Sequence, residues 1–138
     1  MFVLDTDTFT HLVHGHERVI LRRSQVTEDV VLTAATRIEV LQGRFASVMK
    51  AEDAEQLLLA QQRLAQSERQ MASFAVLPVD AAAAAEFERL LGTKGLRRLG
   101  RGDLLIAAIT LANRATLVTR NLKDFRRVPG LQVENWAD

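Results

Sequence analysis

Phe2-Val3-Leu4-Asp5-Thr6-Asp7-Thr8-Phe9 opens the chain with three apolar residues, an acid and then a helix-starting pair. An apolar run this short reads as a buried strand, and Asp7-Thr8 followed by Phe9, Leu12 and Val13 reads as a helix start with Asp7 as its cap. The same alternation recurs outward from it. A further helical stretch is expected over 15–24, and Val30-Val31-Leu32-Thr33 is a second strand. From Thr36 the pattern turns helical through Ile38, Val40, Leu41, Phe45 and Val48, and residues 52–71, rich in Ala, Leu, Gln and Glu, predict one long helix. Phe74-Ala75-Val76-Leu77 is a third strand, closed by Pro78, after which Asp80 caps an alanine-rich helix carrying Phe87, Leu90 and Leu91. Asp103 begins a helix to about Ala112, Ala115-Thr116-Leu117-Val118 is a fourth strand, a short turn spans Leu122–Phe125, and Leu131-Gln132-Val133 adds an edge strand. Short apolar strands alternating with helices predict an α/β fold, a single domain over 1–138 with a mostly parallel sheet of four or five strands flanked by helices.

Composition bounds the chemistry. At 138 residues, 48% hydrophobic and 25% charged, the chain has the make-up of a globular domain with a sizeable core. It has no cysteine, which excludes disulfides, thiolate metal sites and cysteine nucleophiles and suits a reducing, cytoplasmic setting. No apolar run approaches the roughly 18 residues of a membrane span, and no basic stretch precedes an apolar one at the N-terminus, so neither a membrane anchor nor a signal peptide is expected. The net charge is only +1, but residues 94–127 hold nine basic side chains against Asp103 and Asp124, a local +7. Such a segment is the electrostatic footprint of a polyanion partner, and Gly92–Gly102, glycine-punctuated and basic, reads as a mobile loop within it.

The acids fall at the ends of elements. Open α/β sheets bind ligands outside the carboxyl ends of their strands. Asp5 directly follows the first strand, Asn121 and Asp124 follow the fourth, Glu39 lies a turn into the helix after the second, and Asp103 starts the helix leading to the fourth. Each has a structural explanation: Asp103 as an N-cap, Glu39 as the partner of Thr36 in a capping box, Asp124 as a turn residue. Their conjunction is what a cap does not explain. Two carboxylates about 4 Å apart repel by roughly 4 kcal/mol at an effective dielectric near 20. A cluster of them either holds protons or recruits a cation. With oxygen ligands alone, Mg²⁺ or Mn²⁺ is the natural ion, and such a site can activate water against a phosphodiester. A basic rim beside it suits a nucleic acid.

Five segments carry a family resemblance: Phe2-Val3-Leu4-Asp5-Thr6-Asp7, Thr36-Arg37-Ile38-Glu39-Val40-Leu41-Gln42-Gly43, Gly102-Asp103-Leu104-Leu105-Ile106-Ala107-Ala108, Leu117-Val118-Thr119-Arg120-Asn121-Leu122-Lys123-Asp124-Phe125 and Val128-Pro129-Gly130-Leu131. In this order they span nearly the whole chain, which resembles the PIN-domain nucleases and, within them, the VapC-type toxins of toxin–antitoxin pairs. The resemblance implies a Mg²⁺- or Mn²⁺-dependent endoribonuclease with Asp5, Glu39, Asp103 and Asp124 as catalytic acids. Asp5 and Asp103 would be the principal metal ligands, Glu39 would orient the attacking water or bind the metal through water, and Asp124 with Asn121 would complete the site. Thr6 and Thr119 would supply supporting hydrogen bonds. Arg97, Arg98, Arg101 and Arg120 would hold the RNA backbone without reading its sequence. The implied partners are an RNA of the tRNA or rRNA class, a cognate antitoxin docking on the apolar helices near 12–21 and 38–48, and a second copy of the chain. Two departures stand out: the family usually carries Asn where this chain has Asp7, and many relatives place an acid at Asn121.

Other features carry less. Gly15 interrupts His11, His14 and His16, which lack the i, i+4 spacing of a helical zinc pair, so a surface or capping role is expected. Ser67 and Ser73 have no neighbouring base, and Trp136 reads as a packing residue. A structure-specific DNA nuclease and a catalytically weak RNA- or partner-binding module are the alternatives.

Overall fold

Val3 and Leu4, Val31 and Leu32, and Leu117 and Val118 are adjacent pairs whose side chains point to opposite faces of a strand, and all six are buried. The sheet is therefore covered on both sides, as the near-continuous apolar character of the strands requires. In the computed structural model, which describes residues 1–138, the elements run β1 (Phe2–Leu4), α1 (Thr6–Val13), α2 (Glu17–Gln25), β2 (Val30–Thr33), α3 (Ala34–Lys50) and α4 (Ala54–Ala72). They continue with β3 (Val76–Leu77), α5 (Ala81–Leu91), α6 (Arg101–Ala112), β4 (Thr116–Val118), α7 (Leu122–Phe125) and β5 (Gln132–Glu134). The five strands pair in the order β3-β2-β1-β4-β5, all parallel. One core, centred on Val3, Leu117, Ile106 and Phe125, lies under α5, α6 and α7. The other, with Leu4, Leu32, Val118, Phe9, Val19 and Met71, lies under α1, α2 and the end of α4.

β1 sits in the middle, and the strand order reverses across it. Chain connections leave β1 towards β2 on one side and return to β4 on the other, so the crevice between the carboxyl ends of β1 and β4 is the topological switch point of the sheet. The register sets Leu4 opposite Val118, which brings the following residues, Asp5 and Thr119, side by side. Two further bonds tie this edge: Asp5 N–H to the Val118 carbonyl at 3.0 Å and Thr119 N–H to the Glu134 carbonyl at 2.8 Å.

Several boundaries differ from the sequence reading, each for a local reason. Asp5, not Asp7, caps α1, its Oδ1 accepting the Thr8 N–H at 2.8 Å. Thr33, not Thr36, caps α3, accepting the Thr36 N–H at 3.2 Å, which dissolves the expected capping box with Glu39. α6 starts at Arg101 behind Gly100 with no side-chain cap, so Asp103 lies within its first turn. β3 shrinks to Val76–Leu77 because Phe74 turns into the second core instead of extending the strand. The basic segment before α6 is not a free loop: Leu96 and Leu99 are buried in the first core and pin it. Asp80 caps α5 as expected, His16 caps α2 through Nδ1, and Gly15 takes the positive φ of +85° that the α1–α2 turn needs. Trp136 is buried against Phe2 and donates its indole N–H to Glu134 at 2.9 Å.

Candidate active site

Asp5 leaves β1 at the centre of the sheet, only 7% exposed. One of its oxygens is held by the Thr8 amide. The Thr119 hydroxyl stands beside the carboxyl and itself accepts the Asn121 N–H at 3.0 Å, so β4 holds Asp5 from the neighbouring strand. Glu39 arrives from α3, whose first turn is joined to α1 by a 3.0 Å contact between the Thr6 and Thr36 hydroxyls. Asp103 arrives from α6. A helix that precedes a parallel strand begins at the carboxyl edge of the sheet, so the first turn of α6 meets the end of β1.

Electrostatics show that these acids share one space. Burial pushes the Asp5 carboxyl above its ordinary range, and Asp7 adds to that, while Thr119 and Thr8 work against it. Asp103 is raised by burial first, then by the charges of Asp5, Asp7 and Asp124. Glu39 is raised by burial, then by Asp103, Asp7 and Asp5, with the Thr6 hydroxyl opposing. Asp124 therefore faces Asp103 from α7, and its Oδ1 is buried without any hydrogen-bond partner. None of the three ion pairs in the molecule involves these carboxylates; they join Arg22 to Glu134, Arg89 to Glu86 and Arg120 to Asp138.

The donor set fits a hard divalent cation. Every side chain of the set offers oxygen, the charges are mutually unfavourable without a counter-ion, and Asp124, whose charge reaches Asp103, has a buried oxygen without a partner. As the side chains stand, no three acid or histidine groups are arranged around one point to hold an ion.

The structure brings Asp5, Glu39, Asp103 and Asp124 to one edge, with Thr6 and Thr119 supporting them and Asn121 exposed beside them. The arginines are dispersed. Arg101 borders the acids and lays its guanidinium 5.3 Å from the centre of the Phe87 ring. Arg97 lines a separate cavity with Leu90 and Leu96, Arg98 is exposed, and Arg120 is engaged with Asp138 at 3.1 Å. Asp7, which the sequence marks as a departure from the family pattern, is an exposed fifth carboxylate whose charge reaches Asp5, Glu39 and Asp103. One contributor escaped the sequence reading: Gly102, where a Cβ would overlap Glu39 Oε1 and stand 3.1 Å from its Cδ. The glycine preceding Asp103 was visible, but its opposition to Glu39 was not.

The PIN domain family model matches residues 2–131. Ribonuclease VapC1 of Haemophilus influenzae strain R2866 is 28% identical over 99% of this chain and 98% of its own length. The tRNA(fMet)-specific endonuclease VapC of Salmonella typhimurium is likewise 28% identical, over 99% of this chain and 98% of its own. Among solved structures, DNA-bound VapBC from Salmonella typhimurium superposes with a TM-score of 0.78 at 26% identity, covering 98% of this chain and 97% of that one.

Proposed function

Because the chain belongs to the PIN domain family, we propose that it is a ribonuclease of the VapC type, a metal-dependent endonuclease that hydrolyses phosphodiester bonds in RNA. The observation that carries this reading is the convergence of Asp5, Glu39, Asp103 and Asp124 at the switch point with none of them in an ion pair. The full-length likeness to VapC ribonucleases supports it.

Asp5 and Asp103 are the residues that would hold Mg²⁺ or Mn²⁺, with Asp124 offering its free Oδ1. Bound there, the ion would supply charge neutralisation for the phosphate and a more acidic water. The chain's own groups do the rest. Thr119 and the Thr8 amide fix the orientation of Asp5. Glu39, half in solvent and raised in pKa by burial, accepts the proton of the attacking water, with the Thr6 hydroxyl opposing that rise. Arg101, steadied on Phe87, offers a positioned cation to the RNA backbone.

A tRNA or rRNA is the substrate class this reading favours, and a protein antitoxin is the partner it implies. Ile20, Leu21, Ile38, Phe45 and Met49 on α2 and α3 are exposed apolar side chains that such a partner would cover. The test is titration of Mg²⁺ and Mn²⁺ into wild type and Asp103→Asn with tRNA, rRNA and matched DNA. Ion-dependent cleavage of RNA that the substitution abolishes is expected. Cleavage of DNA alone would make it a DNA nuclease, and binding of RNA without cleavage under either ion would make it a binding module.

A further inference from the structure

A cleft of about 450 Å³ opens between α3 and the first turn of α6, lined among others by Ala35, Ile38, Glu39, Gln42, Arg101 and Asp103. It is continuous with the candidate active site, since two of its wall residues are candidate catalytic acids. A larger cavity, about 570 Å³ and bordered by Leu12, Val13, Ile20 and Phe74, has no acid in its lining. Size therefore does not mark the substrate side; chemistry does.

The cleft sorts its chemistry along a single helix face. Ile38, Glu39 and Gln42 stand at i, i+1 and i+4 on α3, so the apolar side chain and the carboxamide are neighbours one turn apart with the carboxylate alongside. Ile38 is 50% exposed, an aliphatic surface left open beside charged groups. Gln42 is exposed too, and a carboxamide offers two N–H donors and an acceptor, the complement of a nucleobase edge. Arg101 supplies the cation across the cleft, and Gly102 has no side chain, so Glu39 lies flat against the backbone of α6.

We propose that this cleft is a one-nucleotide subsite, seating the base next to the scissile phosphate of a single-stranded RNA, with Ile38 against the face of the base and Gln42 on its edge. The proposal rests on the nuclease reading and adds the origin of a base preference to it. A duplex is excluded as the occupant because its bases are stacked and paired, and only an unstacked base presents both face and edge to such a cleft.

Two arms test it. The first is cleavage of an RNA pool with randomised single-stranded loops, read by sequencing the new ends. Wild type is expected to prefer one base at a single position flanking the cut, and Gln42→Ala to reduce that preference about tenfold. The second needs no turnover: single-stranded trinucleotides are titrated into Asp103→Asn and followed by NMR. The Gln42 side-chain amide and the Ile38 methyl signals are expected to shift, and the Gln42→Ala, Asp103→Asn double variant to bind more weakly. An unchanged preference in Gln42→Ala overturns the subsite with the nuclease reading intact, as does a wild type with no preference beside the cut. If wild type cleaves no RNA, the nuclease reading falls and the NMR arm alone decides. Trinucleotides that leave Ile38 and Gln42 unshifted overturn the subsite in either case.

Discussion

Asp103 carries a cost when the site holds no ion. In the folded chain Asp5, Glu39 and Asp103 all hold their protons to a higher pH than in the unfolded chain. Between the ordinary carboxylate pKa and the raised value the folded state binds more protons, so its stability is full below the ordinary pKa and falls as pH rises through the raised one. Asp103→Asn removes one of these acids and relieves Glu39, which its charge raises. Without divalent ions it is expected to melt roughly 2–5 °C above wild type at pH 7, with the difference closing below about pH 4. Calorimetry across that range checks it, and a variant no more stable at pH 7 contradicts it. Gly102 makes a complementary case. Alanine there improves helix propensity by about 0.5–1 kcal/mol but drives the Glu39 carboxylate out of place. Gly102→Ala is expected to melt no lower than wild type and to lose at least tenfold in RNA cleavage. In a Glu39→Asp background, where the carboxylate is withdrawn by one methylene, it should have little further effect. Additive losses would refute the contact. Asp5 was legible in the sequence because an acid ending an apolar strand is conspicuous, whereas Glu39, Asp103 and Asp124 each also read as a cap or turn residue and stood out only together. Asp7 was visible as a departure from the family pattern but read as a cap, and the role of Gly102 was hidden because it meets Glu39 across a gap of many residues.

At the scale of elements, the strands were legible because successive apolar residues serve two buried faces, whereas the helix starts were not. Asp5 and Thr33 each end or follow a strand and cap the helix at once, so the chain turns from β to α without a linker, and the caps fall two to three residues earlier than Asp7 and Thr36 suggested. The segment before α6 was misread more deeply. Its glycines and arginines indicate mobility, yet Leu96 and Leu99, two apolar residues three apart, anchor it. Leu96→Ala or Leu99→Ala is expected to cost about 2–4 kcal/mol in urea unfolding, while Arg97→Ala and Arg98→Ala stay within about 0.5 kcal/mol. Equal effects from the leucines and arginines would show that the segment is not anchored. The anchoring matters to function because it holds Arg101, at the end of the segment, against Phe87 and beside the acids.

Acids gather where β1 and β4 end, and the segment from 94 to 127 is basic in sequence, although the chain is nearly neutral. Two global responses follow. Mg²⁺ or Mn²⁺ at a hundred times its dissociation constant is expected to stabilise wild type by about 2.7 kcal/mol and to leave Asp5→Asn with little gain, measured as a shift in melting temperature. A shift retained by Asp5→Asn would move the ion elsewhere. RNA binding should weaken with salt, with a log–log slope of about −0.7 for each phosphate neutralised, and Arg101→Ala should lower the slope by about one such unit. Binding indifferent to salt would remove the basic segment from the interface.

The clearance at Gly102 also has a genetic consequence. Every amino-acid replacement of a glycine adds a Cβ, so no missense change at this codon leaves Glu39 where it lies. Where the helix accepts the new side chain, as it is expected to accept alanine, the chain would fold, keep the surfaces of α2 and α3, and lack the placement of the Glu39 carboxylate. Among cells surviving overproduction of this protein, codon 102 should thus be a recurrent source of soluble, inactive alleles that still titrate a partner, unlike truncations and core lesions, which remove both properties together.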